Sequence, residues 1–162
     1  MPDRSTQFAT FTVERDLAFR PSTVFQAFAD IEAKRRWFGD PEETDGEHTL
    51  DFRVGGREHA GGGSPQAGGW YTFDAEYHDI VPEERIVYTY DMTIDGNRIS
   101  ASVATIVLTP TDAGTHLRLT EQGVFLDGHD TNAARERGTN ELIDALAASL
   151  AAQSAATAGV AR

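Results

Sequence analysis

Cysteine is absent from all 162 residues, which excludes disulfides, thiolate metal sites and a cysteine nucleophile and suits a reducing compartment. No stretch approaches the ~20 apolar residues that a membrane helix needs. The opening Met-Pro-Asp-Arg-Ser-Thr-Gln has no apolar run of signal-peptide length, so the expectation is a cytoplasmic protein that does not engage a membrane. Basic residues are scarce, 14 Lys+Arg against 26 Asp+Glu for a net charge of −12. Such a surface repels phosphate backbones at long range, and nucleic acid is not expected as a partner. His48, His59, His78, His116 and His129 show neither H-x-x-x-H nor HExxH spacing, so no metal site is expected. Ser64 lies in Gly-Gly-Gly-Ser-Pro, not in the G-x-S-x-G of a nucleophile elbow. The glycines of residues 55–63 are not followed by GKS or GKT, and the flanking pattern is strand to strand, which removes the phosphate-loop reading. No cofactor is expected.

What the chain does have is strand and helix periodicity. At this length one domain forms and buries roughly 70% of the surface of the unfolded chain. Phe11, Val13 and Leu17 share a face of a first strand. Arg20-Pro21-Ser22 punctuates, with Ser22 a candidate cap. Val24, Phe25, Ala27, Phe28 and Ile31 then recur at helical spacing, predicting two short helices that break near Trp37-Phe38-Gly39-Asp40-Pro41. His48, Leu50, Phe52 and Val54 alternate with polar residues as a second strand. The seven glycines of residues 55–69 predict a mobile hairpin, either plain or acting as a lid. Residues 70–80, 85–94, 98–109 and 115–125 read as four more strands, and Asp95-Gly96-Asn97 and Thr111-Asp112-Ala113-Gly114 mark tight turns of an antiparallel meander. From Asp130 the period becomes helical, with Leu142, Ile143, Leu146, Ala147 and Leu150 on one stripe of a helix about 30 Å long. Asp127 or Asp130 suits its cap, Arg135, Glu136 and Arg137 suit a solvated face, and residues 151–162 predict a disordered tail.

This order of one strand, two helices, about six strands and a long helix is α+β, and a curved sheet gripping the helix packs it most economically. The turn and strand Val81-Pro-Glu-Glu-Arg-Ile-Val-Tyr-Thr-Tyr90, with Asp51-Phe-Arg-Val-Gly-Gly-Arg57 before it and Gly114-Thr-His-Leu-Arg-Leu-Thr-Glu121 after it, resembles the START/polyketide-cyclase/birch-pollen-allergen (SRPBCC, Bet v 1-like) superfamily. Within it the chain is most similar to the branch named for the activator of the heat shock protein 90 ATPase. The resemblance spans residues 8–150. It implies a helix-grip fold, a bent sheet of about six or seven strands around the last helix, enclosing an apolar cavity.

Alternation predicts which side chains face that interior. Tyr71, Phe73, Ala75 and Tyr77 share one face, then Tyr88, Tyr90 and Met92, then Ala104, Ile106 and Leu108, then Leu117, Leu119 and Glu121. With Trp37, Phe38, Phe52, Phe125, Leu142 and Leu146 they either line a ligand pocket or simply fill a core. Pocket residues with polar tips favour a small apolar, lipid- or polyketide-like ligand. Glu121, inward among leucines, must meet a tyrosine hydroxyl or an arginine or stay protonated. With the tyrosines it is also a candidate for a proton-transfer role should the chain be a cyclase/aromatase-type enzyme. Glu58, beside Arg57 and His59, reads as a hairpin charge. The resemblance adds a co-chaperone role on heat shock protein 90 as an alternative, although the chain has no counterpart of the extra N-terminal chaperone-binding domain of the eukaryotic activators. A homodimer is neither favoured nor opposed.

Overall fold

A computed structural model describes residues 3–160. The chain runs β1 (Thr6–Leu17), α1 (Pro21–Ala29), α2 (Ile31–Arg35), β2 (Thr44–Leu50), β3 (Arg57–Ser64), β4 (Gly69–Val81), β5 (Arg85–Ile94), β6 (Asn97–Thr111), β7 (Gly114–Leu126) and α3 (Asn132–Val160). All strands form one seven-stranded antiparallel sheet in the order β1-β7-β6-β5-β4-β3-β2. β2 to β7 are a plain meander, and only β1 is out of sequence, paired with the last strand from Thr6 opposite Leu126 to Leu17 opposite Thr115. Register shifts at Tyr77/Asp79 and Met92/Thr93 add twist and bend where the sheet must curve. Among the described residues no helix is long and apolar enough to cross a membrane.

The turns are set by residues that tolerate positive φ. Asp95 (φ 48°) and Gly96 (φ 79°) build a two-residue hairpin whose twist matches that of the strands. Gly114, at φ 153°, begins β7 against the chain leaving β1. A Cβ there would lie 2.2 Å from the Leu17 carbonyl oxygen and 2.7 Å from the Phe19 nitrogen.

Five expectations are corrected. The glycine-rich segment is not a loop throughout, because β3 within it pairs with β2 on one side and with β4 on the other. Its glycines serve close approach: a Cβ on Gly61 would meet the Tyr71 carbonyl at 3.0 Å, and one on Gly63 would meet Thr44 Oγ1 at 2.7 Å. β2 accordingly ends at Leu50, and Phe52 and Val54 lie in the turn that follows. Ser22 does not cap α1, whose cap is Arg20 with Pro21 at the first helical position. Neither Asp127 nor Asp130 caps α3. Thr131 Oγ1 accepts from the Ala134 N–H at 3.1 Å, while Asp127 binds Arg4 and the Ser5 N–H. α3 also continues to Val160, about 43 Å at 1.5 Å per residue, because the alanines that lack apolar bulk are the best helix formers.

The core lies between the concave face of the sheet and the helices. A larger cluster joins β1, β6, β7, α1 and α3 through Val13, Val24, Phe28, Ile106, Leu117, Ile143 and Leu146, and a smaller one joins β3 to β6 through Ala60, Phe73, Ala75, Tyr90 and Ala104. Phe38 and Tyr88 pack against both. Gly114→Ala forces a side chain against fixed backbone and is expected to cost about 3 kcal/mol or more. Gly96→Ala, with open space around it, should cost only about 1 kcal/mol for its left-handed backbone. Urea titration of both variants checks the difference.

Candidate functional site

The concave face carries a row of phenols. Tyr77 on β4 faces Tyr88 on β5 across the ladder, and Tyr90 follows Tyr88 on the same face. Ring centroids are 5.7 Å apart for Tyr77–Tyr88 and 5.9 Å for Tyr88–Tyr90. Phe73 sits 4.8 Å from Tyr90, and Phe38 5.0 Å from Phe73. Buried phenols need partners for their hydroxyls. At each end of the row the partner is a carboxylate.

At one end Glu58 is 1% exposed and Lys34 3%. Glu58 Oε1 accepts from Lys34 Nζ at 2.6 Å and from the Tyr77 hydroxyl at 2.7 Å. Oε2 lies 2.7 Å from His48 Nε2. Burial pushes this carboxyl up, but the Lys34 charge and the bonds from His48, Lys34 and Tyr77 outweigh it and hold it at about 2. Glu58 is thus an acceptor only, and His48 Nε2 must carry the shared proton. Lys34 also reaches the Tyr77 oxygen at 3.4 Å and stands 4.8 Å over the Phe38 ring.

At the other end Tyr90 donates to Glu121 Oε1 at 2.6 Å, and Arg135 of α3 closes the cluster. Arg135 Nη1 donates to the Tyr90 oxygen at 2.9 Å and to Glu121 Oε1 at 3.2 Å. Nη2 donates to Ser100 Oγ at 2.8 Å and lies 2.8 Å from Asp130 Oδ2, which also accepts from Nε at 3.0 Å. Nε and both terminal nitrogens of the guanidinium are thereby engaged. Burial alone would lower the Arg135 pKa, but Tyr90, Glu121 and Asp130 raise it. The guanidinium also lies over Phe125 at 5.1 Å.

Tyr88, between the two clusters, differs from its neighbours. Its hydroxyl has no hydrogen-bond partner among the described residues, and its ring keeps accessible surface. Yet burial is the largest cause raising its pKa, followed by the charges of Tyr90, Glu121 and Glu58. Nearby on the same concave face Ser102 Oγ is buried without a partner.

The anticipated pocket residues therefore divide. Phe38, Phe73, Tyr88, Tyr90 and Met92 belong to the smaller cluster and its margin. Phe125 lies under Arg135. Trp37, Phe52, Tyr77, Ile106, Leu119, Leu142 and Leu146 belong to the larger cluster. Trp37 there donates to the Ala27 carbonyl at 3.1 Å, locking α1 to α2. Glu121 points inward and meets both a tyrosine and an arginine. Two expectations are corrected here: Glu58 is not a hairpin charge, and Arg135 is not on a solvated face, being 9% exposed.

Lys34, His48 and Ser100 escaped the sequence reading. The missed signals were parity along a glycine-rich strand, which puts Glu58 on the face of Ala60, and the α3 stripe continued backward from Leu146 and Ile143 through Thr139 to Arg135.

The exposed histidines are staples. His59 lies between Asp74 (2.6 Å) and Glu47 (2.8 Å), and His116 between Asp16 (2.8 Å) and Glu14 (3.1 Å). Hydrogen bonds donated to these carboxylates raise both pKa values, so what they stabilise is present at lower pH and fades as pH rises through the raised values. Among the described residues no group of three or more His, Asp or Glu is placed to hold a metal. Two open surface clefts, about 380 and 510 Å³, lie away from the tyrosine row, one beside Thr23 and Leu150 and one beside Leu17 and Asp112. Neither contains a buried charged group, so the candidate site is the enclosed row.

The family described as "Activator of Hsp90 ATPase homolog 1-like protein" matches residues 18–151. An uncharacterised protein from Rhizobium leguminosarum is 41% identical, superposes with a TM-score of 0.85 and aligns over 91% of this chain and 97% of its own. A protein from Rhizobium loti is 45% identical with a TM-score of 0.81, over 90% and 99%. The AHSA1-like protein from Aeromonas hydrophila shares the fold at 15% identity and a TM-score of 0.71, over 90% and 94%. No curated protein is significantly similar to the chain.

Lys34→Met leaves Glu58 buried and uncompensated and should cost about 3–5 kcal/mol, most of it recovered when Glu58 is also replaced by Met. The Glu58 carboxyl binds its proton less well folded than unfolded. Its contribution is therefore complete above about 4.5 and is lost as pH falls toward about 2, a change on the order of 3 kcal/mol. Denaturant midpoints across that window should fall for the native chain and flatten for Glu58→Gln.

Proposed function

The chain belongs to the activator of Hsp90 ATPase homolog 1-like family, and from its interior we propose that it encloses a small, largely apolar molecule between the sheet and α3. The observation that carries this reading is Tyr88, a half-buried residue on the inner face with an unbonded hydroxyl. In a close-packed core such a hydroxyl would be an unmet cost. The floor around it supports the same reading. Ala75 lies opposite Tyr90, and Ala104 opposite Tyr88, so the floor beneath the rings presents small side chains. Rings of Phe38, Phe73 and Tyr90 and the thioether of Met92 supply apolar walls of the kind small-molecule sites use.

Glu121 is the polar anchor of this site. Its Oε1 takes both Tyr90 and Arg135, which leaves Oε2 to accept from a ligand hydroxyl or amine. That division of labour suits positioning more than proton transfer, and the reading is of a binder and not an enzyme. The family's name refers to chaperone activation, and that role is the competing outcome of the test.

Ala75→Leu distinguishes a space from a filled core. The added carbons should enter free volume, leaving stability unchanged while the affinity for a hydrophobic fluorescent probe falls at least about tenfold. A loss of about 1–3 kcal/mol would mean a close-packed floor. Native mass spectrometry of the protein purified from its own host should show a reproducible small co-purifying mass. Heat shock protein 90 recovered in stoichiometric amount, with no such mass, would overturn the reading.

A further inference from the structure

Both buried cations are already engaged by protein groups. Arg135 donates to Tyr90, Glu121, Ser100 and Asp130. Lys34 is held by Glu58, Tyr77 and the Phe38 ring. The two ends of the tyrosine row thus carry three carboxylates, Glu58, Glu121 and Asp130, against two cations that these groups already hold. A ligand carboxylate, sulfonate or phosphate entering between them would give up its water and find no positive partner, only like charge. Tyr77 and Tyr90 are equally committed, each donating to a carboxylate. The hydroxyl donors that remain unspent on the inner face are Tyr88 and, beside the Tyr90 position, Ser102, whose Oγ is buried and unpartnered.

We infer that Tyr88 is the specificity-determining hydrogen-bond donor of the interior and selects neutral apolar molecules that carry an acceptor oxygen, such as a ketone or ester carbonyl, over anions of the same size. This rests on the binding reading above. Burial and the charges of Tyr90, Glu121 and Glu58 disfavour ionisation of Tyr88, so its hydroxyl keeps the proton it would donate. A carbonyl oxygen offers the matching acceptor at no charge cost. Because the hydroxyl has no protein partner, Tyr88→Phe removes nothing that the fold uses. Tyr90→Phe, by contrast, strips a bond from both Glu121 and Arg135.

Three naphthalene probes of similar size test this by fluorescence titration: a neutral propionyl ketone, N-phenyl-1-naphthylamine, which has no carbonyl, and an anilinonaphthalene sulfonate. The native protein should bind the ketone saturably, with the red-shifted emission of a hydrogen-bonded carbonyl, and at least about tenfold more tightly than the sulfonate. In Tyr88→Phe, whose melting temperature should match the native value, the ratio of ketone to amine affinity should drop about tenfold, the worth of one hydrogen bond, and the emission should shift blue. An unchanged ratio with unchanged emission overturns the role of Tyr88, and a sulfonate that binds as tightly as the ketone overturns the selection against anions. If none of the probes binds the native protein, the binding reading itself fails and this inference goes with it.

Discussion

Two carboxylates without water set the terms for this interior. Glu58 and Glu121 are each almost fully buried, and a lone charge in such a place would cost more than the fold has to spend. Each is met in the same way, by a phenol from the sheet and a cation from a helix. Lys34 reaches Glu58 from α2, and Arg135 reaches Glu121 from α3. The helices are therefore tied to the sheet at fixed points as well as through apolar contact. Sliding either helix by one turn would leave a carboxylate uncompensated, which is costlier than a shift of leucines over a greasy surface.

The same pairing decides what is left for a ligand. Once Tyr77 and Tyr90 are assigned to Glu58 and Glu121, the middle phenol has nothing to bond, because the small residue opposite it, Ala104, carries no polar group. Charge neutralisation at the ends and a free hydroxyl in the centre are consequences of one arrangement. The interior is electrostatically complete yet chemically unfinished, a combination that supports recognition of a neutral molecule and gives no purchase to an anion. The acidic surface, at a net charge of −12, works in the same direction at longer range.

Strand parity made much of this legible. Period-two alternation placed Tyr77, Tyr88, Tyr90, Leu119 and Glu121 on inward faces, and the turn residues Asp95-Gly96 and Gly114 marked the hairpins that the structure contains. Alternation fails where a side chain is absent. Gly61, Gly62 and Gly63 suggested a loose loop because their reason for being there, backbone packed against Thr44 and Tyr71, is a tertiary contact that no local pattern carries. With β3 misread, Glu58 had no face and its role was hidden. Arg135 and Lys34 were hidden for another reason, since charged residues on a helix are normally solvated and only the carboxylate facing them across the fold explains their burial. Residues 151–160 show the converse, a run without apolar bulk that stays helical on propensity.

The claim at the centre of this account is that accessible space adjoins Tyr88 between the two charge clusters. A crystal pressurised with xenon tests it most directly, because xenon enters dry apolar space and avoids close-packed cores. A xenon site bounded by Tyr88, Phe38 and Met92 is the expected result. Xenon found only in the surface clefts beside Leu150 or Leu17, with the tyrosine row tightly closed, would contradict it.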